Sequence, residues 1–392
     1  MRIGLVLSQV PGYSETFFRN KIKLLFGSGH QVFLFAENTG HVKVEGATVV
    51  EPLCLRKTLH PGVLIHFLKA LLICVFIIPV RSIRFMKIEG REKISLPNAF
   101  LHLLTNCHIL RYNLDWLHFG FATMALQREN VGEALGARVA VSFRGYDIAI
   151  YPVKSPGCYS LLWRKLNKVH TISDDLLEIA RQQGLPLHIP VVKVTPAIDT
   201  KQFYNPDRTG RVGETIRLLS VGRLHWKKGY EYAFRTLALL MEKGINFEFT
   251  IVGEGKEFER LAFSVWQYGL SEKVHFAGKV PHNELPGLMQ TYDVYLQPSV
   301  QEGFCNSVLE AQCNGLYCIV SDAEGLPENV LDGETGRVVP KRSPESLAQA
   351  IEEYRSMDDE TRLTIIRKAQ DRVREEFTLE KQMEKFNSFY NS

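Results

Sequence analysis

The stretch IRLLSVGRLHWKKGYEYAFRTLALLMEKGINFEFTIVG at residues 216–253 decides the fold class. It contains a strand pattern at 216–222, a helical pattern near Tyr230–Lys243 and a second strand pattern at 247–253. Continuous apolar strands that alternate with helices are typical of parallel sheets covered by helices on both faces. The same alternation occurs before residue 200, and a polar stretch at 205–215 separates the two series. The sequence therefore predicts an α/β protein with two doubly wound domains that meet near 200–215.

The bulk composition is that of a globular protein in a reducing environment. The chain has 392 residues, which suits two domains, and it is 45% hydrophobic and 23% charged. Its seven cysteines form no CxxC pair, and several lie in apolar runs, so we expect free thiols and no structural metal. The N-terminal MRIGLVLSQVPGY has the pattern of a first strand and its loop rather than that of a signal peptide.

Net positive charge is concentrated in the first half of the chain, although the net charge of the whole is only +4. The most apolar run, LIHFLKALLICVFIIPV at 64–80, is followed by Arg81, Arg84 and Lys87. The run fits a membrane span, a wholly buried helix or an interfacial helix, and its length and interrupting charges favour the last. We therefore expect a cytoplasmic protein that lies peripherally on an anionic membrane surface. Basic residues are not interleaved with aromatic ones, so we expect no nucleic-acid partner.

Loops that directly follow strands are where chemistry is expected, because doubly wound sheets bind ligands beyond the carboxyl ends of their strands. In VGRLHWKKGY at 221–230, Arg223 and Lys228 could flank a diphosphate, and the alternative is two solvated surface charges. The loops VGEGKEF at 252–258 and AGKVPHNEL at 277–285 are weaker signals, since ordinary strand-end turns have the same composition.

The loop SVQEGFCNS at 299–307 leads into a predicted helix that carries a second carboxylate. Glu302 and Glu310 are separated by seven residues, and Gly303 would allow a ligand to approach the backbone closely. Helix N-terminal amides near 304–307 would favour an anionic group. The residues Ser307 and Glu310 also fit a capping box that needs no ligand, and Glu302 could be a plain surface carboxylate. Both interpretations stay open from the residues alone.

Several motifs in one order resemble the donor domain of retaining glycosyltransferases of family 4 (group 1), which have the GT-B fold. They are GRLHWKKG, IVGEGKEFERL, VHFAGKVPHNEL, YDVYLQPSVQEGFCNSVLEAQCNG and IVSDAEGLPENVLDGETGRVVP, and the match covers 216–350. The stretch SQVPGYSETFFRNKIKLLFGSGHQV at 8–32 is similar to the opening of bacterial exopolysaccharide enzymes of colanic-acid type. The resemblance implies two Rossmann-like domains that face a central cleft. Residues 1–200 would bind the acceptor, 201–375 the donor, and a last helix at 376–392 would cross back to the first domain.

The resemblance also implies roles for matching residues. Arg223 and Lys228 would hold the nucleotide diphosphate, Glu310 the ribose hydroxyls and Glu302 the donor sugar. The implied donor site further includes Gly253, the nucleobase turn Gly278, Lys279 and Val280, then Gly303 and the backbone amides of Phe304, Cys305 and Asn306. In the first domain, Gly12 would let its loop approach the diphosphate, with Ser14 and Glu15 nearby on the acceptor side.

One segment departs from the family pattern. SFRGYDI at 142–148 has Arg144 where many relatives carry a histidine that faces the donor sugar. Arginine cannot act as a base at neutral pH, although it can donate hydrogen bonds to a sugar or phosphate. By resemblance, Asp147 and His118 would lie on the acceptor side, with Arg144 and His118 among the catalytic residues. A packed structural histidine is an equal alternative for His118.

The implied reaction is transfer of a sugar, with retention of configuration, from a UDP or GDP sugar to a polyprenyl-diphosphate-linked oligosaccharide in surface polysaccharide synthesis. The implied route is front-face attack with leaving-group stabilisation by Arg223, Lys228 and helix amides, without cofactor or metal. A nucleotide-sugar epimerase on the same fold is the enzymatic alternative. A catalytically silent saccharide- or membrane-binding subunit is the alternative from another class.

Overall fold

The computed structural model describes residues 1–11, 16–36, 43–53 and 61–391. The chain divides into two compact units, Met1–Val194 with Met383–Ser392, and Thr195–Gln382. The boundary between Val194 and Thr195 lies a few residues before the one expected near 200. The last helix begins in the second unit and ends in the first, so the chain returns to its starting unit.

The first unit contains a seven-stranded parallel sheet in the order β3-β2-β1-β4-β5-β6-β7. Its strands are β1 (Arg2–Leu7), β2 (Gln31–Ala36), β3 (Ala47–Val50), β4 (Trp116–Phe119), β5 (Arg138–Phe143), β6 (Lys168–Thr171) and β7 (Val191–Lys193). The strand order reverses between β1 and β4, which is where sheets of this kind bind ligands. The expectation of a doubly wound sheet in the first half of the chain is therefore confirmed.

Helices cover both faces of this sheet because each strand connection is a crossover. They are α1 (Thr16–Gly27), α2 (Pro61–Leu72), α3 (Pro79–Arg91), α4 (Leu96–Leu110), α5 (Val131–Leu135), α6 (Tyr151–Lys154), α7 (Ser160–Lys165) and α8 (Asp174–Gln182). One part of the core joins β1, β2 and α1 to the last residues of the chain, where Phe386, Phe389 and Tyr390 are fully buried.

The second unit contains a six-stranded parallel sheet in the order β10-β9-β8-β11-β12-β13. Its strands are β8 (Ile216–Val221), β9 (Phe247–Val252), β10 (Val274–Gly278), β11 (Val294–Gln297), β12 (Tyr317–Ser321) and β13 (Arg337–Val339). Its switch point lies between β8 and β11. Strands β8 and β9 are the two that the stretch 216–253 predicts.

The helices from Thr200 onward include one before the first strand of this sheet, helices between its strands and three after its last strand, of which α17 ends in the first unit. They are α9 (Thr200–Phe203), α10 (Tyr230–Glu242), α11 (Phe258–Gln267), α12 (Leu285–Met289), α13 (Asn306–Asn314), α14 (Leu326–Asn329), α15 (Pro344–Ser356), α16 (Asp359–Glu376) and α17 (Leu379–Asn391). The core packs buried residues of α10, such as Phe234 and Leu237, against Phe249 and Ile251 of β9.

The apolar run at 64–80 forms α2, a π-helical turn (Ile73–Ile77) and the start of α3. Many of its large apolar side chains are exposed, for example Phe76 at 74% and Val80 at 78%. The wholly buried helix is therefore the wrong interpretation. Within the described ranges, no single helix is long and apolar enough to cross a membrane, while the pair Val63–Ile77 and Pro79–Arg91 passes that test together with a bend of 104°.

Candidate functional site

The carboxyl ends of β8, β9 and β10 contact one another at one edge of the second sheet. Gly222 N–H donates to Val252 O at 2.8 Å, and Gly253 N–H donates to Gly278 O at 2.8 Å. Gly253 has φ +141°, and a Cβ there would lie 2.0 Å from Gly222 O. A side chain at Gly253 would push two loops of the site apart. The close backbone contact therefore explains why this position is glycine, and no ligand is needed to explain it.

Lys228 and Glu302 form an ion pair at this junction. Lys228 lies in a 3₁₀ turn after β8, and Glu302 lies in the loop after β11, with Nζ and Oε2 2.6 Å apart. Burial alone would lower the pKa of Lys228, but the neighbouring Cys305 and Glu302 outweigh it and hold that pKa above its ordinary value. The lysine is therefore a cation, and each side chain is less than one fifth exposed. Arg223 is exposed in the same loop as Lys228.

The start of α13 differs from the prediction for Cys305. Its backbone N–H donates to Asn329 Oδ1 at 3.0 Å, and Asn329 Nδ2 donates back to Cys305 O at 3.1 Å. The Cys305 N–H is therefore paired with a side chain in this structure, and its binding of a ligand stays a prediction. Phe304 is buried and packs against Phe377. The first-turn amides from Asn306 onward are the part of the predicted anion site that remains.

The capping-box interpretation of Ser307 and Glu310 is wrong. Helix α13 begins at Asn306, which places Ser307 inside the first turn rather than at its cap. The Ser307 hydroxyl instead donates to Val221 O at 3.0 Å and receives a hydrogen bond from the Tyr295 hydroxyl at 2.8 Å. Tyr295 is fully buried, and the sequence analysis did not single it out. It ties the end of β8 to the start of α13.

Glu310 instead contacts His282, which the sequence analysis also missed. His282 Nε2 lies 2.9 Å from Glu310 Oε1. The histidine follows the turn Gly278–Val280, where Lys279 is exposed and a Cβ at Gly278 would meet nothing within 4 Å. The position of His282 in a loop after a strand was the signal that could have identified it.

In the first unit, His118 is a packed structural histidine. Its side chain is completely buried, with Nδ1 2.6 Å from the Tyr390 hydroxyl and Nε2 2.8 Å from Ser142 Oγ. Lys21, also buried, has its ammonium 3.3 Å from the same ring. Both ring nitrogens are thus paired with buried side chains, which favours the structural alternative, and an acceptor-side or catalytic role for His118 stays a prediction.

Asp147 is likewise structural. Its carboxylate accepts the N–H of Ala122 at 2.9 Å and that of Arg144 at 3.0 Å, and burial raises its pKa. Asp147 thus connects two loops, and its acceptor-side role stays a prediction. The Arg144 guanidinium lies 3.8 Å over the ring of Phe17, a cation–π contact. Gly12, Ser14 and Glu15 fall outside the described residues.

The described part of the chain contains no group of three or more His, Cys, Asp or Glu side chains arranged to hold a metal ion. The polar groups in the loops and the helix start that follow strands of the second sheet are the Lys228–Glu302 pair, the His282–Glu310 pair and the first-turn amides of α13. Such a set can bind a molecule that combines negative charge with hydroxyl groups.

The family model for glycosyl transferases group 1 matches residues 203–372, which is most of the second unit. The glycosyltransferase WcaL of Salmonella typhimurium, assigned by its name to colanic acid biosynthesis, is 28% identical over 269 residues, 66% of each chain. The amylovoran biosynthesis glycosyltransferase AmsK of Erwinia amylovora is 29% identical over 244 residues, 59% of this chain and 58% of its own. The matched regions thus span about two thirds or less of these relatives.

Solved structures share the fold of the whole chain. Sucrose-phosphate synthase from Thermosynechococcus elongatus superimposes with a TM-score of 0.71 at 17% identity, covering 100% of this chain and 98% of that one. Anabaena Alr3699/HepE in complex with UDP gives a TM-score of 0.72 at 16% identity, covering 99% and 98%. At this identity the likeness shows the fold alone, which is GT-B with two Rossmann-like domains.

Proposed function

We propose that the protein is a group 1 glycosyltransferase that transfers a sugar from a nucleotide-diphosphate sugar to a saccharide acceptor in exopolysaccharide synthesis. The proposal is supported by the family-model match to residues 203–372 and by the similarity to WcaL and AmsK. The observation that carries the proposal is the ion pair of Lys228 with Glu302 at the switch point of the second sheet, where the Glu302 loop leads into the helix that carries Glu310. UDP in the HepE structure supports a nucleotide donor. UDP or GDP is the nucleotide we propose.

The cations and the carboxylates of this site bind different parts of such a donor. Lys228 and the exposed Arg223 bind the diphosphate, together with the first-turn amides of α13. Glu302 accepts hydrogen bonds from the sugar, and Glu310 accepts them from the ribose. In the structure Lys228 Nζ is paired with Glu302. When the donor binds, its diphosphate replaces Glu302 as the partner of Nζ.

We propose transfer with retention by front-face attack. A donor phosphate oxygen receives the acceptor proton, and the departing diphosphate is stabilised by the cations and amides already in place. No side chain needs to form a covalent intermediate. The reaction proceeds without a metal ion because Lys228 and Arg223 supply the positive charge at the diphosphate.

The first test of the proposal is a thermal-shift panel with UDP, GDP and ADP. One of the three nucleotides should raise the melting temperature, since a ligand that binds only the folded state stabilises it. Turnover of the matching nucleotide sugar then separates the alternatives. Sugar that leaves the nucleotide without any acceptor would indicate the epimerase, and a protein that binds no nucleotide would indicate a silent subunit.

We further propose that the acceptor is lipid-linked and that the first unit lies peripherally on the cytoplasmic face of an anionic membrane. The support is an exposed apolar surface, here called the apolar elbow, formed by α2, the π-helical turn and the start of α3. Its exposed members are Leu64, Ile65, Phe67, Leu68, Leu72, Val75, Phe76, Ile77, Val80 and Ile83. Monomeric soluble proteins rarely expose such a contiguous set.

Basic residues beside the apolar elbow support an anionic surface rather than a protein partner. Arg84 and Lys87 are exposed on the same face of α3 as Val80 and Ile83. Arg81 differs from the expectation, because its guanidinium donates to Leu110 O at 2.8 Å and Tyr112 O at 3.1 Å. Arg84 and Lys87 are therefore the flanking cations that can reach lipid phosphates.

A further inference from the structure

Glu310 is a nearly buried carboxylate with one hydrogen-bonding side chain. Only 9% of its side chain is exposed, and the described residues provide His282 as its partner, with Nε2 2.9 Å from Oε1. A buried carboxylate needs compensating donors, because its desolvation is otherwise costly. The contact with His282 therefore determines how Glu310 is held at the site.

His282 is itself fixed by its surroundings. Its ring packs edge-on against the buried ring of Phe203, with centroids 5.2 Å apart, and its carbonyl accepts a hydrogen bond from Gln202 Nε2 at 3.5 Å. Its side chain remains 36% exposed. The loop after β10 thus presents one ring nitrogen to α13 in a defined direction.

The electrostatic surroundings favour the charged form of the imidazole. The hydrogen bond to Glu310 raises the pKa of His282, burial opposes this, and the charges of Glu310 and Asp199 add to the increase. These two carboxylates are the charged groups that act on the ring, one from α13 and one just before α9. A cationic donor makes a stronger hydrogen bond to a carboxylate than a neutral one does.

We propose that His282 is a positioning residue for the nucleotide, which holds Glu310 Oε1 so that Oε2 is aimed to accept a ribose hydroxyl. The inference rests on the proposed function, in which Glu310 binds the ribose. An unconstrained glutamate would lose rotamer freedom when it bound a hydroxyl, and His282 removes much of this cost beforehand. The imidazole ring need not touch the nucleotide.

The pH dependence of binding follows from this arrangement. Below the ordinary histidine pKa the His282 ring is fully protonated, and the stabilisation from its positive charge is lost as pH rises through the raised pKa of His282. Affinity for a nucleoside diphosphate should therefore decrease toward alkaline pH. The neutral ring still donates a hydrogen bond, so the decrease should be partial.

The test is isothermal titration of the full chain with the nucleoside diphosphate that stabilises it, and with its 2′- and 3′-deoxy forms, between pH 6 and 9. His282→Ala should weaken the ribonucleotide about tenfold and a deoxy form much less, as expected for loss of one charge-assisted contact. His282→Gln, which keeps an N–H donor, should restore most of the affinity. Its affinity should not decrease toward alkaline pH, because glutamine does not titrate. His275→Gln, at an exposed position on β10, is the matched control.

Two results distinguish a failure of the His282 role from a failure of the ribose role of Glu310. If Glu310→Ala loses discrimination between ribose and deoxyribose while His282→Ala behaves as wild type, the positioning role is overturned and the ribose role stands. If Glu310→Ala binds every nucleotide as wild type does, the ribose assignment itself is wrong. An alkaline decrease that persists unchanged in His282→Gln would also overturn the positioning role.

Discussion

At the scale of single residues, Lys228 is the side chain on which nucleotide binding depends most. Lys228→Ala should weaken nucleoside diphosphate binding about ten- to hundredfold, because a charge-assisted contact contributes about 1.5–3 kcal/mol. Titration calorimetry in EDTA measures this directly. If EDTA abolishes wild-type binding while Lys228→Ala leaves it intact, the phosphate site has been assigned to the wrong residues.

The two carboxylates of the site should respond differently to removal. Glu310→Ala should weaken binding of the free nucleotide, whereas Glu302→Ala should leave that affinity at least as high, since it releases Lys228 from its ion pair. Turnover should fall in Glu302→Ala because the sugar loses an acceptor. The comparison needs nucleotide affinity and initial rates for both variants. Equal loss of free-nucleotide affinity in the two would reject the division.

The residues show where sequence reasoning succeeds and where it stops. Lys228 and Glu302 were predicted from loops after two strands, and the parallel sheet brings those loops together because their strands are neighbours. His118 was open to two interpretations because its partner Tyr390 lies at the other end of the chain. No local pattern could reveal that contact.

At the scale of elements, the apolar elbow carries the membrane prediction. Arg84→Glu with Lys87→Glu should release the protein from anionic liposomes, because each cation near the surface contributes about 1 kcal/mol and salt screens that attraction. Activity on a short water-soluble acceptor should survive. Co-sedimentation at low and high salt measures the effect, and Lys93→Glu, an exposed change after the end of α3, is the control.

Two outcomes would refute the interfacial helix. If the wild-type protein never sediments with anionic liposomes, the apolar elbow does not bind a lipid surface and must contact another partner. Protein that resists both high salt and alkaline carbonate would instead be inserted across the membrane, as the bent helix pair would allow by length and composition.

Elements were predicted more reliably than their ends. Helix α10 begins at the predicted residue, and every strand pattern of 216–253 is a strand, because apolar periodicity is a property of the local sequence. The capping box placed the N-cap of α13 at Ser307, two residues after the observed N-cap Cys305. The Ser307 hydroxyl instead contacts Val221, which is distant in sequence, and no local pattern could indicate that contact.

At the scale of the whole molecule, the first unit should lose stability in acid. His118 and His170 are completely buried, and burial, with the charge of Lys21, holds the pKa of each below its ordinary value. The unfolded chain therefore binds more protons as pH falls through about 6.5. The stability that depends on the neutral rings is present above that pH and decreases below it, by up to about 1.4 kcal/mol per pH unit for each group.

Thermal unfolding followed by circular dichroism between pH 5 and 8 measures this loss. His118→Gln should reduce the acid sensitivity, while His188→Gln, an exposed histidine of the same unit, should leave it unchanged. A melting temperature that stays constant between pH 7.5 and 5.5 in the wild type would contradict the prediction.

The central claim is that the protein transfers a sugar with retention of configuration and without a metal ion. Sugar transfer itself tests this claim most directly. The measurement is transfer of radiolabelled sugar from UDP- and GDP-hexoses to polyprenyl-diphosphate oligosaccharides, with NMR of the anomeric configuration in the product. We predict label in the lipid fraction in the presence of EDTA, an α-linked product from an α-linked donor, and loss of transfer in Lys228→Ala. Label that appears only as free or epimerised sugar, or a product of inverted configuration, would contradict the account.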